Sequence, residues 1–275
     1  MSTKTRLDVY LVENGQTSGR EKAKELILSG AVTVNGKTVI KPSATVAETD
    51  LVDCKGPDIS YVSRGAVKLE KALSMSGISP KGYTALDIGA STGGFTQCLL
   101  QHGACRVYAV DVGHDQLHPL LREDPRVVNL EGTDVRSERL REEVMSSSVD
   151  LITMDVSFIS VRRVLPYVFP FLKEGGQLIV LIKPQFEAGK ADVGKNGIVR
   201  DKRVHVRVLR EIVDFFAKHS CCVQLLTGSP ITGGAGRSRG NIEYLAVLSL
   251  GSSACAQALD LRQIVDQTFS SFGEV

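Results

Sequence analysis

The chain has 275 residues, 43% of them hydrophobic and 23% charged, with a net charge of +2. No apolar run approaches the roughly twenty residues that span a bilayer, and the opening Met-Ser-Thr-Lys-Thr-Arg-Leu-Asp lacks an apolar signal core, so a cytoplasmic protein is expected. The length accommodates a full α/β domain with a small additional one, while so small a net charge cannot by itself argue for a nucleic-acid partner. Residues 1–60 read as the small domain. Leu7, Val9, Tyr10, Leu11 and Val12 begin an apolar helix face, and Ser18 stands as N-cap of a second helix over Arg20–Ser29, ended by Gly30. Asn35-Gly36 then separates two short β-runs within Val32–Val39, a strong hairpin signal. Six cysteines (Cys54, Cys98, Cys105, Cys221, Cys222, Cys255) show no C-x-x-C spacing and read as free thiols rather than zinc ligands or a disulfide framework.

The basic residues of this first domain, Lys4, Arg6, Arg20, Lys22, Lys24 and Lys37, belong to the helix pair and hairpin, whereas acids dominate after Lys41. Ser-Arg-Glu-Lys-Ala-Lys opening the second helix and Val-Asn-Gly-Lys in the hairpin resemble the α-L RNA-binding motif named after a small-subunit ribosomal protein. That resemblance implies a surface that grips folded RNA through phosphates and shape. Gly56-Pro57 places a linker near residues 55–62.

Residues 61–275 read as a second domain. A helix from Tyr61 to Leu73 precedes strands expected at 84–88, 107–110, 127–130, 151–154, 177–182, 222–226 and 244–249, with helices between them. This alternation predicts a Rossmann-like α/β fold with a seven-stranded, mainly parallel sheet, antiparallel in its last part because 225–244 holds a Gly-rich turn and no helix. Leu86-Asp-Ile-Gly-Ala-Ser-Thr-Gly-Gly-Phe-Thr96 runs from strand through glycine turn to helix. It lacks the G-x-G-x-x-G spacing and the Lys-Ser/Thr pair that hold pyrophosphates. The strand after it ends on Asp111, placed for a ribose diol. An adenosine-bearing ligand without phosphates, such as S-adenosylmethionine, is therefore expected. Its contacts would come from Asp87, Gly89, Ala90, Ser91, Gly93, Gly94, Phe95, Asp111, Val112, Asp134, Val135 and Asp155, with Asp134 reaching the adenine amine.

Asp155 follows Leu-Ile-Thr-Met and Lys183 follows Leu-Ile-Val-Leu-Ile, so each puts a charge where a buried parallel strand emerges, the edge at which open α/β sheets bind ligands. For Asp155 the competing reading is a cap before the segment 157–164. Val62-Ser-Arg-Gly-Ala-Val-Lys-Leu, the glycine stretch, Asp-Val-Ser-Phe-Ile-Ser, Leu-Ile-Lys-Pro-Gln-Phe-Glu and Val-Gly-Lys-Asn-Gly-Ile-Val-Arg-Asp together resemble the TlyA family over essentially the whole chain. The resemblance implies an FtsJ-like, S-adenosylmethionine-dependent ribosomal RNA 2'-O-methyltransferase, acting on a cytidine in a ribosomal subunit. It also implies a Lys-Asp-Lys-Glu tetrad at Lys68, Asp155, Lys183 and Glu243, Lys71 being the alternative to Lys68. A ribose hydroxyl needs in-line placement and relief of its proton. Lys183, when neutral, would be the base, Lys68 would tune it, and the carboxylates would orient lysines and ribose.

Arg64, Lys190, Lys195 and Arg200 are expected to add RNA contacts, the segment from Lys190 to Arg203 lining the RNA entrance beside Lys183. His102, His118 and His219 read as partnerless, and no histidine has metal-ligand spacing, so no metal is expected. Two rival readings are a non-catalytic RNA-binding protein that keeps the methyltransferase fold and a membrane-active haemolysin. The latter lacks a fitting apolar segment, since 164–172 is short and carries Pro166 and Pro170.

Overall fold

The structure is a computed structural model that describes residues 4–14, 16–17, 19–28, 30–47, 49–54, 61–144, 149–194, 196–233, 240–251 and 259–273, with the Lys22 side chain left out. Residues 55–60 of the linker expected at 55–62, and the Ser18 cap, lie outside the described residues. The chain divides into two compact units, Met1–Ser60 and Tyr61–Val275.

In the first unit β1 (Lys4–Arg6) leads into α1 (Leu7–Glu13), α2 (Arg20–Leu28), β2 (Val32–Val34), β3 (Lys37–Thr38), β4 (Thr45–Ala47) and β5 (Val52–Cys54). Asn35 and Gly36 both take positive φ, 51° and 77°, and turn β2 into β3 as the dipeptide predicts. The additional antiparallel pairs β1–β4 and β2–β5 escape sequence reading, since three-residue strands are too short to show a period of two. Leu7, Leu11, Ala23, Ile27, Val32 and Val46 form the core. Asp8 is fully buried beside them, accepting from Arg6 Nε and Nη2, both at 2.9 Å, and from Arg20 Nη2 at 3.3 Å. The hydrogen bond from Arg6 is the largest cause holding this carboxyl down at about 2. Arg6 and Arg20, expected on the RNA surface, thus also neutralise a buried acid.

The second unit contains α3 (Gly65–Ser76), β6 (Thr84–Ile88), α4 (Gly94–Gln101), β7 (Arg106–Asp111), α5 (Pro119–Arg122), β8 (Val127–Glu131), α6 (Glu138–Val144) and β9 (Val149–Met154). It continues through α7 (Val161–Val168), β10 (Leu172–Ile182), α8 (Pro184–Glu187), α9 (Lys202–Lys218), β11 (Cys221–Gly228), β12 (Tyr244–Leu250) and α10 (Leu261–Ser271). The seven strands lie in the order β11-β12-β10-β9-β6-β7-β8, with β12 antiparallel to both neighbours and the rest parallel. The central strands read as continuous apolar runs because both faces are covered. Leu86 and Ile88 pack with Ile152, Val180 and the α7 and α9 side chains, while Ala85 packs with Leu69 of α3 and Leu99 of α4.

Strand order reverses at β6, which has β7 on one side and β9 on the other. A crevice opens there, at the carboxyl ends of the strands. Gly89 N donates to Val110 O at 2.8 Å and Asp155 N to Ile88 O at 3.0 Å, which brings the glycine loop and Asp155 side by side.

Three local expectations change. The helix predicted from Tyr61 begins at Gly65, because Val62 N is taken instead by the Gln97 side chain at 2.7 Å. Asp155 does not cap a helix, since α7 starts later and Ser160 Oγ accepts from Arg162 N. Cys98, Cys105 and Cys221 are free thiols and Cys255 lies outside the described residues, but Cys222 is disulfide-bonded, a pairing that the fold creates and sequence spacing does not reveal. Among the described residues no helix is long and apolar enough to cross a membrane.

Candidate active site

Two adjoining cavities open along this crevice and share Gly89, Ser91, Asp155 and Ser157. The larger, about 860 Å³, runs along the ends of β6, β7 and β8 between Ile88, Val110, Val112, Val135 and Val156, with Asp111 and Asp134 on its wall. Gly89 has φ 81°, and a Cβ there would stand 2.7 Å from the Asp155 carbonyl oxygen, so only glycine lets loop and strand end approach this closely. Asp111 accepts from Ser91 N through Oδ2 and from Gly113 N through Oδ1, both at 2.8 Å. It therefore shapes the loop and keeps a second lone pair on each oxygen. Asp134 is gripped by Arg136, chiefly through side-chain hydrogen bonds that hold its carboxyl at about 2.

Not every expected cofactor residue reaches these cavities. Asp87 is fully buried and accepts from Thr96 Oγ1 at 2.7 Å and Thr153 Oγ1 at 2.9 Å, joining α4 and β9 underneath the loop. Burial pushes its carboxyl up to about 6. It faces the α4 side because side chains alternate along a strand. Gly93 likewise lies away from both cavities, against Leu117 and Leu121. Ala90, Gly94 and Phe95 line the smaller cavity.

That smaller cavity, about 330 Å³, holds the charged cluster. Lys68 Nζ donates to Glu243 Oε2 at 2.7 Å and lies 3.8 Å from Asp155 Oδ2; Lys183 Nζ lies 2.6 Å from Asp155 Oδ1 and donates to Ser157 Oγ at 2.8 Å. Asp155 Oδ1 receives no well-directed hydrogen bond. Its contact with Lys183 is thus an ion pair off the hydrogen-bond angle, and the directed bond of the amine goes to Ser157. Lys68, Lys183 and Glu243 are buried, Asp155 about one-fifth exposed. The result is a charge-alternating chain from Glu243 through Lys68 and Asp155 to Lys183, contributed by α3, β9, β10 and the residue before β12. Lys71 points elsewhere, donating to Gly228 O at 2.7 Å. Gly233 makes room for Glu243, since a Cβ there would meet Glu243 Oε1. Residues 234–239 of the loop before Glu243 lie outside the described residues.

Residues 61–249 match the family of FtsJ-like methyltransferases, and residues 5–52 match the S4 domain. The chain belongs to the FtsJ-like methyltransferase family. It is 38% identical to the 16S/23S rRNA (cytidine-2'-O)-methyltransferase TlyA of Mycobacterium tuberculosis, with 98% of this chain and 99% of that protein covered. It is 44% identical to Hemolysin A of Brachyspira hyodysenteriae, over 88% of this chain and 98% of that protein. A solved structure from Streptococcus thermophilus superposes with a TM-score of 0.73 at 39% identity, covering 99% of this chain and 98% of the other.

The FtsJ-like unit shows site features that sequence reading passed over. Phe158 is 90% exposed with φ 64°, its ring 5.1 Å from that of Phe186. A bulky side chain in the left-handed region costs about 1–2 kcal/mol, so its neighbours must hold it. Glu187 does so, accepting from Ser160 Oγ at 2.6 Å and Val161 N at 2.7 Å. The motifs Asp-Val-Ser-Phe and Lys-Pro-Gln-Phe-Glu carry these residues, but only the fold brings the two together. Arg64 lines the tetrad cavity, whereas Lys190 and Arg200 are exposed and line two separate hollows. Lys195 lies outside the described residues. In the S4 unit Lys4 and Lys37 are exposed, and Lys24 pairs with Glu21 at 2.6 Å. The histidines expected to lack partners have them: His102 with Glu70, His118 accepting from Leu120 N, and His219 against the rings of Phe169 and Phe215.

Proposed function

We propose that this protein transfers the methyl group of S-adenosylmethionine to the ribose 2'-hydroxyl of a ribosomal RNA cytidine, with residues 1–60 as RNA-binding module and 61–275 as catalytic domain. The observation that carries the reading is the buried two-lysine, two-carboxylate chain at the junction of the two cavities. The residues present suit the cofactor: apolar walls for a purine, a strand-end carboxylate with open lone pairs for a diol, and a glycine turn for close backbone approach. Asp111 would hold the ribose, Val112 and Val135 would flank the adenine, and Asp134 would face its amine while still bound to Arg136. When bound, S-adenosylmethionine supplies an electrophilic sulfonium methyl.

The protein's own residues supply placement and proton removal. Lys183 Nζ has two partners, Asp155 and Ser157, which leave one direction toward the cavity it lines. In its neutral form that nitrogen takes the hydroxyl proton as oxygen attacks carbon. Asp155 and Ser157 fix the amine, and Lys68, anchored by Glu243, balances the charge of Asp155 when Lys183 is neutral. Phe158, exposed beside Ser157 and backed by Phe186, offers a face on which an unstacked base can lie. Ribosomal RNA as the substrate is supported by the S4 match and by the TlyA relatives.

The test uses methyl-labelled S-adenosylmethionine with separated ribosomal subunits or naked rRNA, mapping label by alkaline hydrolysis, which 2'-O-methylation blocks. Label at a resistant cytidine is the expected result. RNA bound without any label would favour the non-catalytic reading.

A further inference from the structure

Away from the tetrad, α3 and α4 bring three different metal-binding side chains together. Cys98 on α4 and His102 at its C-cap stand one turn apart, and Glu70 faces them from α3. One ligating atom of each lies within 4.8 Å of the other two. Cys98 Sγ is 3.6 Å from Glu70 Oε2, and His102 Nε2 is 3.4 Å from Glu70 Oε1. A tetrahedral zinc ion with bonds of about 2.0–2.3 Å separates its ligands by roughly 3.3–3.7 Å. These two spacings, one to each oxygen of Glu70, fall in that range.

The surrounding hydrogen bonds orient these groups as ligands. His102 Nδ1 lies 2.9 Å from Cys98 O, a pure acceptor, so Nδ1 carries the proton and Nε2 presents its lone pair toward Glu70. A lone pair facing a carboxylate is repulsive unless a proton or a metal ion lies between them. Tyr61 Oη donates to Glu70 Oε2 at 2.5 Å and fixes the carboxylate. An imidazole tied to a backbone carbonyl and a carboxylate held by a hydroxyl are the outer-shell bonds that position metal ligands.

We propose that Glu70, Cys98 and His102 bind one borderline-soft divalent ion, zinc, with solvent as the fourth ligand. Binding replaces the thiol proton: the S–H bond breaks, a metal–sulfur bond forms and the proton leaves to solvent. The ion joins the helix that carries Lys68, two residues before Glu70, to the helix that follows the glycine loop. It is a structural clamp beneath the active site, and its existence does not depend on which substrate the enzyme methylates.

Full-length protein, stripped with chelator, is titrated with Zn²⁺ and with Co²⁺, following metal content and the visible and near-ultraviolet spectrum. One equivalent per chain is expected, with tetrahedral Co²⁺ bands and a thiolate charge-transfer band. Cys98→Ser should abolish that band, and His102→Gln, which removes a direct ligand, should weaken affinity by more than the roughly 10–100-fold that loss of an outer-shell partner brings. Cys105→Ser, which removes the exposed thiol, should leave both unchanged. If Cys98→Ser does not fold, the partly exposed His102→Gln carries the test, with circular dichroism confirming its fold. No stoichiometric uptake by the native chain would overturn the proposal, as would undiminished metal affinity in Cys98→Ser or His102→Gln, or uptake that is lost in Cys105→Ser.

Discussion

Replacing Lys183 by methionine removes the amine but keeps most of the side-chain volume, so its consequences can be worked out from the cluster. Lys183 Nζ sits 2.6 Å from Asp155 Oδ1, an attraction of about 6 kcal/mol at an effective dielectric of about 20. The remaining counter-charge of Asp155, Lys68 at 3.8 Å, is already committed to Glu243. Deleting one partner of a buried pair typically costs about 3–5 kcal/mol. Because Asp155 is one-fifth exposed, water offsets part of this, and a loss of about 2–3 kcal/mol in unfolding free energy is expected. Single-turnover methylation should fall further, by about 10²–10⁴-fold, the usual contribution of a positioned base. Affinity for S-adenosylmethionine should change little, since Lys183 lines only the smaller cavity. The Lys183→Met/Asp155→Asn double variant separates the two effects, recovering stability but not rate. The assay is rapid-quench transfer of labelled methyl at saturating cofactor and RNA, alongside urea unfolding. A single-turnover rate for Lys183→Met within about threefold of native would refute the base assignment.

Gly89→Ala should abolish calorimetric binding of S-adenosylmethionine or weaken it at least about tenfold, because the new methyl meets the Asp155 carbonyl at 2.7 Å and φ is 81°; unchanged affinity would remove the loop from the cofactor site. Asp87 has a native value of about 6 against 3.8 unfolded, so the folded state binds more protons between these values and stability falls as pH rises from about 4 to 6. The cost of ionised Asp87 at neutral pH is about 3 kcal/mol. Asp87→Asn should flatten that slope in denaturant unfolding measured across the window, and parallel curves would show that burial does not perturb the group. Phe158→Ala should leave the melting temperature within a few degrees while weakening RNA binding about 10–100-fold, the contribution of one stacked base; equal affinity in a filter-binding assay would exclude it as a base platform.

Much of this molecule is written in local patterns. The Asn35-Gly36 turn, the buried strand runs, the glycine loop between β6 and α4, and the charges at the ends of β9 and β10 all follow from residues within a few positions of one another. Each reflects a physical rule with a short range: left-handed φ for glycine and asparagine, burial of both faces for parallel strands, strand ends at the ligand crevice. What the local patterns leave open is partnership. Whether Lys68 or Lys71 joins the cluster depends on how α3 is rotated against β12. Glu243 meets Lys68 across 175 positions of sequence only because β12 inserts antiparallel beside β10. Asp87 belongs to the motif by its neighbours, yet strand alternation turns it inward to Thr96 and Thr153. The approach of Glu70 to Cys98 and His102 has no sequence spacing to announce it. Composition and periodicity therefore determined the elements and the chemistry available at their ends. The packing of helices on the twisted sheet decided which charges met, because that geometry is set by contacts between segments distant in the chain.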